Sequence, residues 1–497
     1  MAVDTSVEKS VDVVSEPASE DIRASSVASS DDSDGKTPPP LMAKLIAVAL
    51  ISCISFGSHW SSGVTSAMKS TIKKELGIGN LQYSLLEASE DFMATLLLFV
   101  SGVVTDRVGG AGMIVYGNMV YTIGSILVAA AATVRSFDFM IGGRVILALG
   151  DIATQIAQYK MFSSWFPPSS GFASTLAFEL AIGKIGGFAG KGTANIIATR
   201  TGNFAWTFWV SVFMNLFTNA ATVGFWFFNI YCNKHYKGRR DAATKEQLTE
   251  KNKKFEFKKI FELPWTFWAI MAFSIFQTST ASVFATNATE LAEKRFNVSA
   301  IKAGWYSSLS QYAVFVCGLG MFLSMICLNF ATSTAGTGAS FGIYAISLSF
   351  GPTSIIDGIR TTLWHQSVFG SAYSLKVTMN NAMSIVVGII AGALQDADND
   401  SYRRVVQVYL VLAAGSVVVG AAILAGTFMT DNLAMLQWSR QKRLTSGAPI
   451  IEQMRERSLV THKNRTRNIS IACFAALMLL TVGSWVAYIW GAVTGNS

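Results

Sequence analysis

The chain has 497 residues, of which 51% are hydrophobic and only 14% charged, with a mean hydropathy of +0.40 and a formal net charge of +8. An ordinary soluble domain carries about 25% charged residues, and blocks such as Met93–Val104 and Val405–Met429 lack a polar face, so the composition describes a polytopic membrane protein. Five cysteines exclude a disulfide-built secreted scaffold, and no Walker-type loop, HExxH pair or CxxC pair supports ATP-driven chemistry, a metal, a cofactor or a nucleic-acid partner.

Residues 1–40 hold nine acidic side chains against Lys9, Arg23 and Lys36, many serines and the stop Pro38-Pro39-Pro40. Such a stretch cannot bury enough apolar surface to order itself, which predicts a disordered acidic cytosolic tail with no signal peptide. A helix needs about 20 apolar residues to cross the hydrocarbon core. The first helical bundle is predicted over 41–232, with spans near 43–66, 81–104, 112–134, 137–162, 170–197 and 204–231. A linker, 233–262, follows, and the second bundle is predicted over 263–430, with spans near 264–289, 303–330, 339–364, 370–394 and 404–430. A basic segment, 431–467, precedes an extra span near 468–491.

The linker carries ten basic residues against five acidic ones, and 431–467 carries eight against three, so both are predicted to face the cytosol. Five spans between them would place them on opposite sides. The weak point is 303–330, where Ser310–Val316 runs into Cys317–Phe330 without a charged turn. This predicts two spans fused near 316–318, with a loop and parts of two helices missing; the alternative is one ordinary helix and a violated charge rule.

At the predicted cytosolic end of the second span, Gly102, Asp106, Arg107 and Gly109 stand in the run GVVTDRVG. This resembles the G-x-x-x-D-R-x-G signature of the major facilitator superfamily, with Gly110 where that signature usually ends in a basic residue. Gly143-Arg144 opening the fourth span, Trp165-Phe166-Pro167 closing it, Leu263-Pro264-Trp265 starting the second half and Gly370-Ser371-Ala372-Tyr373 are similar to the same family, in a lysosomal branch whose animal member carries dipeptides. The resemblance covers about residues 43–430, apart from 316–318. It implies an all-α fold of two six-helix bundles, here with an extra C-terminal helix. It also implies that Asp106 and Arg107 form a latch that breaks as the bundles rock.

The fold places its solute site at the midplane between the bundles, where ionisable residues are costly and each is a functional candidate. Arg144 and Asp151 lie seven apart on one face of the fourth span, continued by Gln155 and Gln158, and Lys184 and Lys191 repeat that spacing in the fifth. The resemblance implies a zwitterion clamp, with an acid in the fourth span for the amine and a base in the fifth for the carboxylate. Lys184 matches the basic position, but Ile152 occupies the acidic one. Asp151 is one residue earlier, turned by about 100° around the helix. Lysine also lacks the planar fork of arginine. The other reading of Arg144, Asp151 and Lys184 is an ion-pair network tying the first bundle together.

Glu87, Glu90 and Asp91 share one face of the second span, so at least one is placed to hold a proton, and His59 in the first span is a second proton-coupling candidate. The alternatives are a hydrated vestibule or pairing with Lys191, and a merely hydrogen-bonded histidine. In the second bundle Gln277 and Asn381 are cavity candidates, and Asp357 and Arg360 a predicted pair. Asn287 and Asn297 head N-x-[ST] sequons, Asn297 being the more accessible. The expectation is therefore a lipid-embedded, non-enzymatic transporter of a small-molecule substrate, short peptides or amino-acid-like zwitterions first, in a vacuolar or lysosomal membrane. The alternatives are a carboxylate transporter, or a non-transporting splice form or defective gene model.

Overall fold

A computed structural model describes residues 39–166, 172–236, 261–308, 317–330, 333–363, 368–438, 442 and 448–495. The acidic tail and most of the linker, expected to be disordered and cytosolic, lie outside these residues. Among the described residues all regular structure is helical. The first group of helices is α1 (Leu41–Cys53), α2 (Phe56–Ala67), α3 (Lys69–Leu76), α4 (Asn80–Val108), α5 (Gly110–Val134), α6 (Phe137–Trp165), α7 (Phe172–Thr201) and α8 (Ala205–His235). The second is α9 (Trp265–Phe296), α10 (Ala300–Ser308), α11 (Cys317–Phe330), α12 (Thr334–Thr362), α13 (Phe369–Ala397) and α14 (Arg403–Met429). Two short helices, α15 (Asp431–Ala434) and α16 (Ala448–Glu456), lead to α17 (Lys463–Gly495).

Among the described residues eight helices are long and apolar enough to cross a membrane, counting α1 and α2 as one pass. The charged α4, α7 and α12, of 29, 30 and 29 residues, have the same reach. Successive passes run antiparallel, so the molecule has a linker end, where α8 stops and α9 starts, and a distal end. The local signals for the turns are clear. Gly109 (φ 98°), between α4 and α5, sits where a side chain would be strained, which accounts for one glycine of the GVVTDRVG run. Asn297 (φ 49°) closes α9 in the left-handed conformation that asparagine tolerates. Ser136 and Ser333 cap α6 and α12 by accepting bonds from Phe139 N and Gly336 N.

Within the first group the tightest approach is between α5 and α6. Gly124 and Gly150 let the two backbones meet: a Cβ on Gly124 would strike Leu147, and one on Gly150 would strike Tyr121. Close backbone approach through small residues is how helices associate when lipid competes equally for apolar side chains. The two groups face each other along a seam in which α4 meets α13, α2 meets α9 and α7 meets α10.

The stretch 303–330, expected to fuse two spans near 316–318, holds two helices, α10 of nine residues and α11 of 14, flanking 309–316, which lie outside the described residues; the alternative of one ordinary helix is not what the described residues form. At 1.5 Å per residue the two helices reach only about 13 and 21 Å, too short for either to cross alone. Arg295, at the distal end of α9, donates from Nη2 to the Asn329 carbonyl at 3.2 Å, so α11 ends beside the point where α9 ends.

Gly150→Ala is expected to lower the stability of the detergent-solubilised protein by about 1–3 kcal/mol through overpacking. Gly142→Ala, where a Cβ meets nothing within 4 Å, should be neutral or slightly stabilising. Thermal unfolding of the two variants reads the difference.

Candidate functional site

The helix groups close on each other at both ends of the seam. At the distal end Lys69, the first residue of α3, enters a buried cluster. Its ammonium lies 2.9 Å from Glu290 of α9 and donates to Asn287 Oδ1 (2.6 Å), Gln395 Oε1 (2.9 Å) and Tyr402 Oη (3.1 Å). Lys73, one turn on, reaches the other Glu290 oxygen at 2.6 Å. Tyr402 and Gln395 also donate to Glu290, at 2.7 and 3.1 Å. Asn80, opening α4, donates to Asp396 and Asp400 at 2.7 and 2.6 Å.

Burial is the largest influence on the Lys69 amine and lowers it from the ordinary lysine range despite the pull of Glu290. Burial pulls the Asp400 carboxyl upward, but the Asn80 amide, Lys294 and Lys73 outweigh it and leave that group below the ordinary range. Burial, with the charge of Glu290 added, holds the Tyr402 hydroxyl well above its usual range.

At the linker end the closure is aromatic. Tyr159 of α6 and Tyr373 of α13 are buried with ring centroids 4.7 Å apart, and the Lys376 ammonium lies 5.6 Å from the Tyr373 ring. Helix spacing then defines a band between the closures. Along α6, Asp151 is about eight residues, or ~12 Å, from Tyr159. Asn381 is about as far beyond Tyr373 along α13. On α9, Gln277 is about eight residues short of Ala285, whose carbonyl accepts from Lys191 Nζ at 2.8 Å across the seam. Lys184 lies two turns before Lys191. Asp151, Lys184, Gln277 and Asn381 therefore share one level.

Asp151, Gln155, Lys184 and Asn381 are half-buried and make no direct side-chain hydrogen bond among the described residues. Gln277 is fully buried. Its Oε1 accepts from Thr278 at 3.0 Å while Nε2 has no partner. Gly351 makes room for it, since a Cβ there would collide with the Gln277 amide. Asn380 behaves alike: Oδ1 accepts from Ser274 at 3.1 Å and Nδ2 has no partner. Buried amide donors without acceptors are rare and mark a place for one.

Other expected residues lie elsewhere. Arg144, expected beside Asp151 in a clamp or network, instead bridges Glu87 (2.8 Å) and Glu90 (2.5 Å) of α4. The α4 carboxylates thus face Arg144, while Lys191 bonds to Ala285. Asp91 is half-buried beside this pair. The His59 ring lies against Gly183, next to Lys184. Asn287, expected as a sequon, is buried in the distal cluster and bonded to Lys69 and Tyr409, so it is closed to glycosylation, whereas Asn297 is exposed. Arg360 is buried with its guanidinium 5.2 Å from the Phe369 ring. The side chains of Gly102, Asp106 and Arg107 lie outside the described residues, though α4 runs through them.

Sequence reasoning missed the distal cluster, Lys376 and Glu179. Glu179 of α7 is buried; its Oε1 accepts from Ser55 (2.8 Å) and Gln158 (3.0 Å), and its Oε2 has no partner. Ser55 is available because the first pass breaks between α1 and α2. A serine-rich stretch, Ser52 to Ser62, was the one sequence hint of that break.

Two helical groups closing at both ends around a polar band are the architecture of a multi-pass membrane transporter. The chain belongs to the Major Facilitator Superfamily, whose pattern matches residues 48–397. Among curated proteins it is similar to the lysosomal dipeptide transporter MFSD1 of Mus musculus, 25% identical over 155 residues, which is 30% of this chain and 32% of that protein. The Homo sapiens protein of the same name is 27% identical over 153 residues, again 30% and 32%. The match thus spans about a third of the length of these relatives. Among solved structures, a bacterial homolog of the human lysosomal transporter Spinster, inward-facing and unoccupied, shares 14% identity over 92% of this chain and 99% of its own, with a TM-score of 0.52. FucP in the outward conformation also shares 14%, over 76% and 97%, with a TM-score of 0.52. Both likenesses are of fold.

Glu290→Gln leaves two buried ammonium groups short of their carboxylate and is expected to cost about 3–5 kcal/mol of stability. Glu75→Gln removes only a half-exposed pair with Arg135 and should change stability by less than about 1 kcal/mol. Denaturation of both variants in the same detergent makes the comparison.

Proposed function

We propose that the chain carries a small polar solute bearing both a carboxylate and an ammonium group, a short peptide or an amino-acid-like zwitterion, by alternating access through the band between the two closures. Lys184 carries the reading. It is a half-buried cation at mid-membrane level with no hydrogen-bond partner among the described residues, level with the carboxylate of Asp151 and the unpaired amide donors of the second group. Glu179, five residues earlier on α7, attracts it without a hydrogen bond. A cation at that depth is costly, so a solute carboxylate is the partner this reading assigns. Asp151, with Gln155 a turn away, then takes the ammonium group. A carboxylate-bearing metabolite is the second reading, because Lys184, Gln277 and Asn380 together offer donors suited to a carboxylate. The names of the curated relatives support dipeptides and a lysosomal or vacuolar membrane.

The linker end faces the cytosol in this reading, on the strength of its basic residues. Because α11 ends beside α9, α10 and α11 together make no net crossing, and the linker and 431–467 lie on the same side. The surplus of carboxyls around Arg144 (Glu87, Glu90 and Asp91), with His59 near Lys184, gives the cycle places for an exchangeable proton. Asp106 and Arg107, with Gly102 and Gly109, act as a latch at the linker end.

Uptake of labelled dipeptides into proteoliposomes should be saturable for the wild type and at least tenfold lower for Lys184→Ala; equal uptake would remove Lys184 from the site. Epitope tags placed within 237–260 and 439–447 should be reached by antibody from the same side of the membrane. Labelling from opposite sides would mean that 300–330 makes a full crossing.

A further inference from the structure

The last helix, α17, lies outside the matched residues 48–397 and packs on α13, α4 and α9. Its buried residues Ser470, Leu477, Thr481, Ser484 and Gly491 form one stripe. The opposite face, with Leu479, Val482, Val486, Ile489 and Val493, is exposed, as a lipid-facing surface is. The partners of that stripe change along its length. Toward the linker end the hydrogen bond and ring contact of α17 are with α9 and the chain just before it: Trp268 Nε1 donates to Ser470 Oγ at 3.3 Å, and Phe474 packs edge-on against Phe261 at 5.5 Å. From mid-membrane to the distal end it holds both groups. Trp485 Nε1 donates to Thr95 Oγ1 of α4 at 2.8 Å, and Tyr488 stacks on Phe92 of α4 at 4.6 Å. Gly491 fits between Leu85 of α4 and Ile389 of α13. Beneath it Leu81, Leu85 and Ala88 of α4 cluster with Ile385 and Ile389 of α13.

This asymmetry has an energetic consequence. Opening the distal end parts α4 from α13 there, so α17 must give up its contacts with one of them. Opening the linker end leaves the contacts with Trp268 and Phe261 intact. A segment that makes more contacts in one state shifts the equilibrium toward it by the difference. We propose that α17 is a built-in strap that biases the transporter toward the state closed at its distal end.

The test reads that equilibrium as a distance, so it does not depend on the solute. With the five cysteines replaced, spin labels are placed at Arg200→Cys on α7 and Lys302→Cys on α10, both exposed at the distal end, and the distance distribution is measured by pulsed electron resonance in nanodiscs. Trp485→Phe with Tyr488→Leu removes the hydrogen bond to Thr95 and the stacking on Phe92 of α4 while keeping α17 apolar. It should raise the ratio of distal-open to distal-closed molecules about threefold to tenfold, the size expected for losing one buried hydrogen bond and one aromatic pair. Ser470→Ala, which removes the bond from Trp268 of α9, should leave the ratio unchanged. Thr95→Val removes the same hydrogen bond from the α4 side without altering α17 and should shift the ratio in the same direction. An unchanged ratio with Thr95→Val, or an equal shift with Ser470→Ala, overturns the proposal.

Discussion

The arrangement depends on one constraint: a charge taken into this molecule must find its partner inside it. Lys69 and Glu290 show the rule most fully. Each is almost completely buried, they come from different helix groups, and Asn287, Gln395, Tyr402 and Lys73 surround the pair with amides, a hydroxyl and a second charge. Removing two charges from water costs several kcal/mol per ion before their attraction offsets it. Such a cluster therefore holds only where geometry is close to ideal, and it comes apart as a unit when the distal ends separate. It is an on-or-off contact between the two groups.

The same rule separates structural charge from working charge. Arg144 is satisfied twice over by Glu87 and Glu90 within the first group. Lys191 is tied to a backbone carbonyl of the second. Lys184 and Asp151, at the level between the closures, make no side-chain hydrogen bond among the described residues, although Glu179 attracts Lys184 from the same helix. The unpaired amides of Gln277 and Asn380 stand opposite as donors. In the proposed role as solute contacts, these groups would discriminate by leaving buried donors unpaired around the wrong solute.

Much of this was legible in the sequence, for physical reasons. A long apolar run must become a helix in lipid, so most passes and their order follow directly. Lys184, Asp151 and Gln277 stood out because polar groups in such runs are expensive. Lys69 and Glu290 did not, because both lie near helix ends, where charges are ordinary; their pairing exists only in the folded chain, as does the Lys69 bond to Asn287 across 218 positions. Arg144 was read with Asp151 on one face of α6, and no spacing within its own helix could reveal that α4 supplies its partners. In the run 303–330 hydropathy alone gives one span, because it sums over residues; the sign that something is compressed there came from the basic stretches on either side. The strap role of α17 was equally hidden, since what matters there is which helices it touches at each depth.

The most direct test of the central claim is a cryo-electron microscopy structure determined with a saturating dipeptide. Density for the solute is expected in the band between the Tyr159–Tyr373 contact and the Lys69–Glu290 cluster, with its carboxylate on Lys184. Density seated elsewhere, with Lys184 paired to a side chain of the protein itself, would contradict the account.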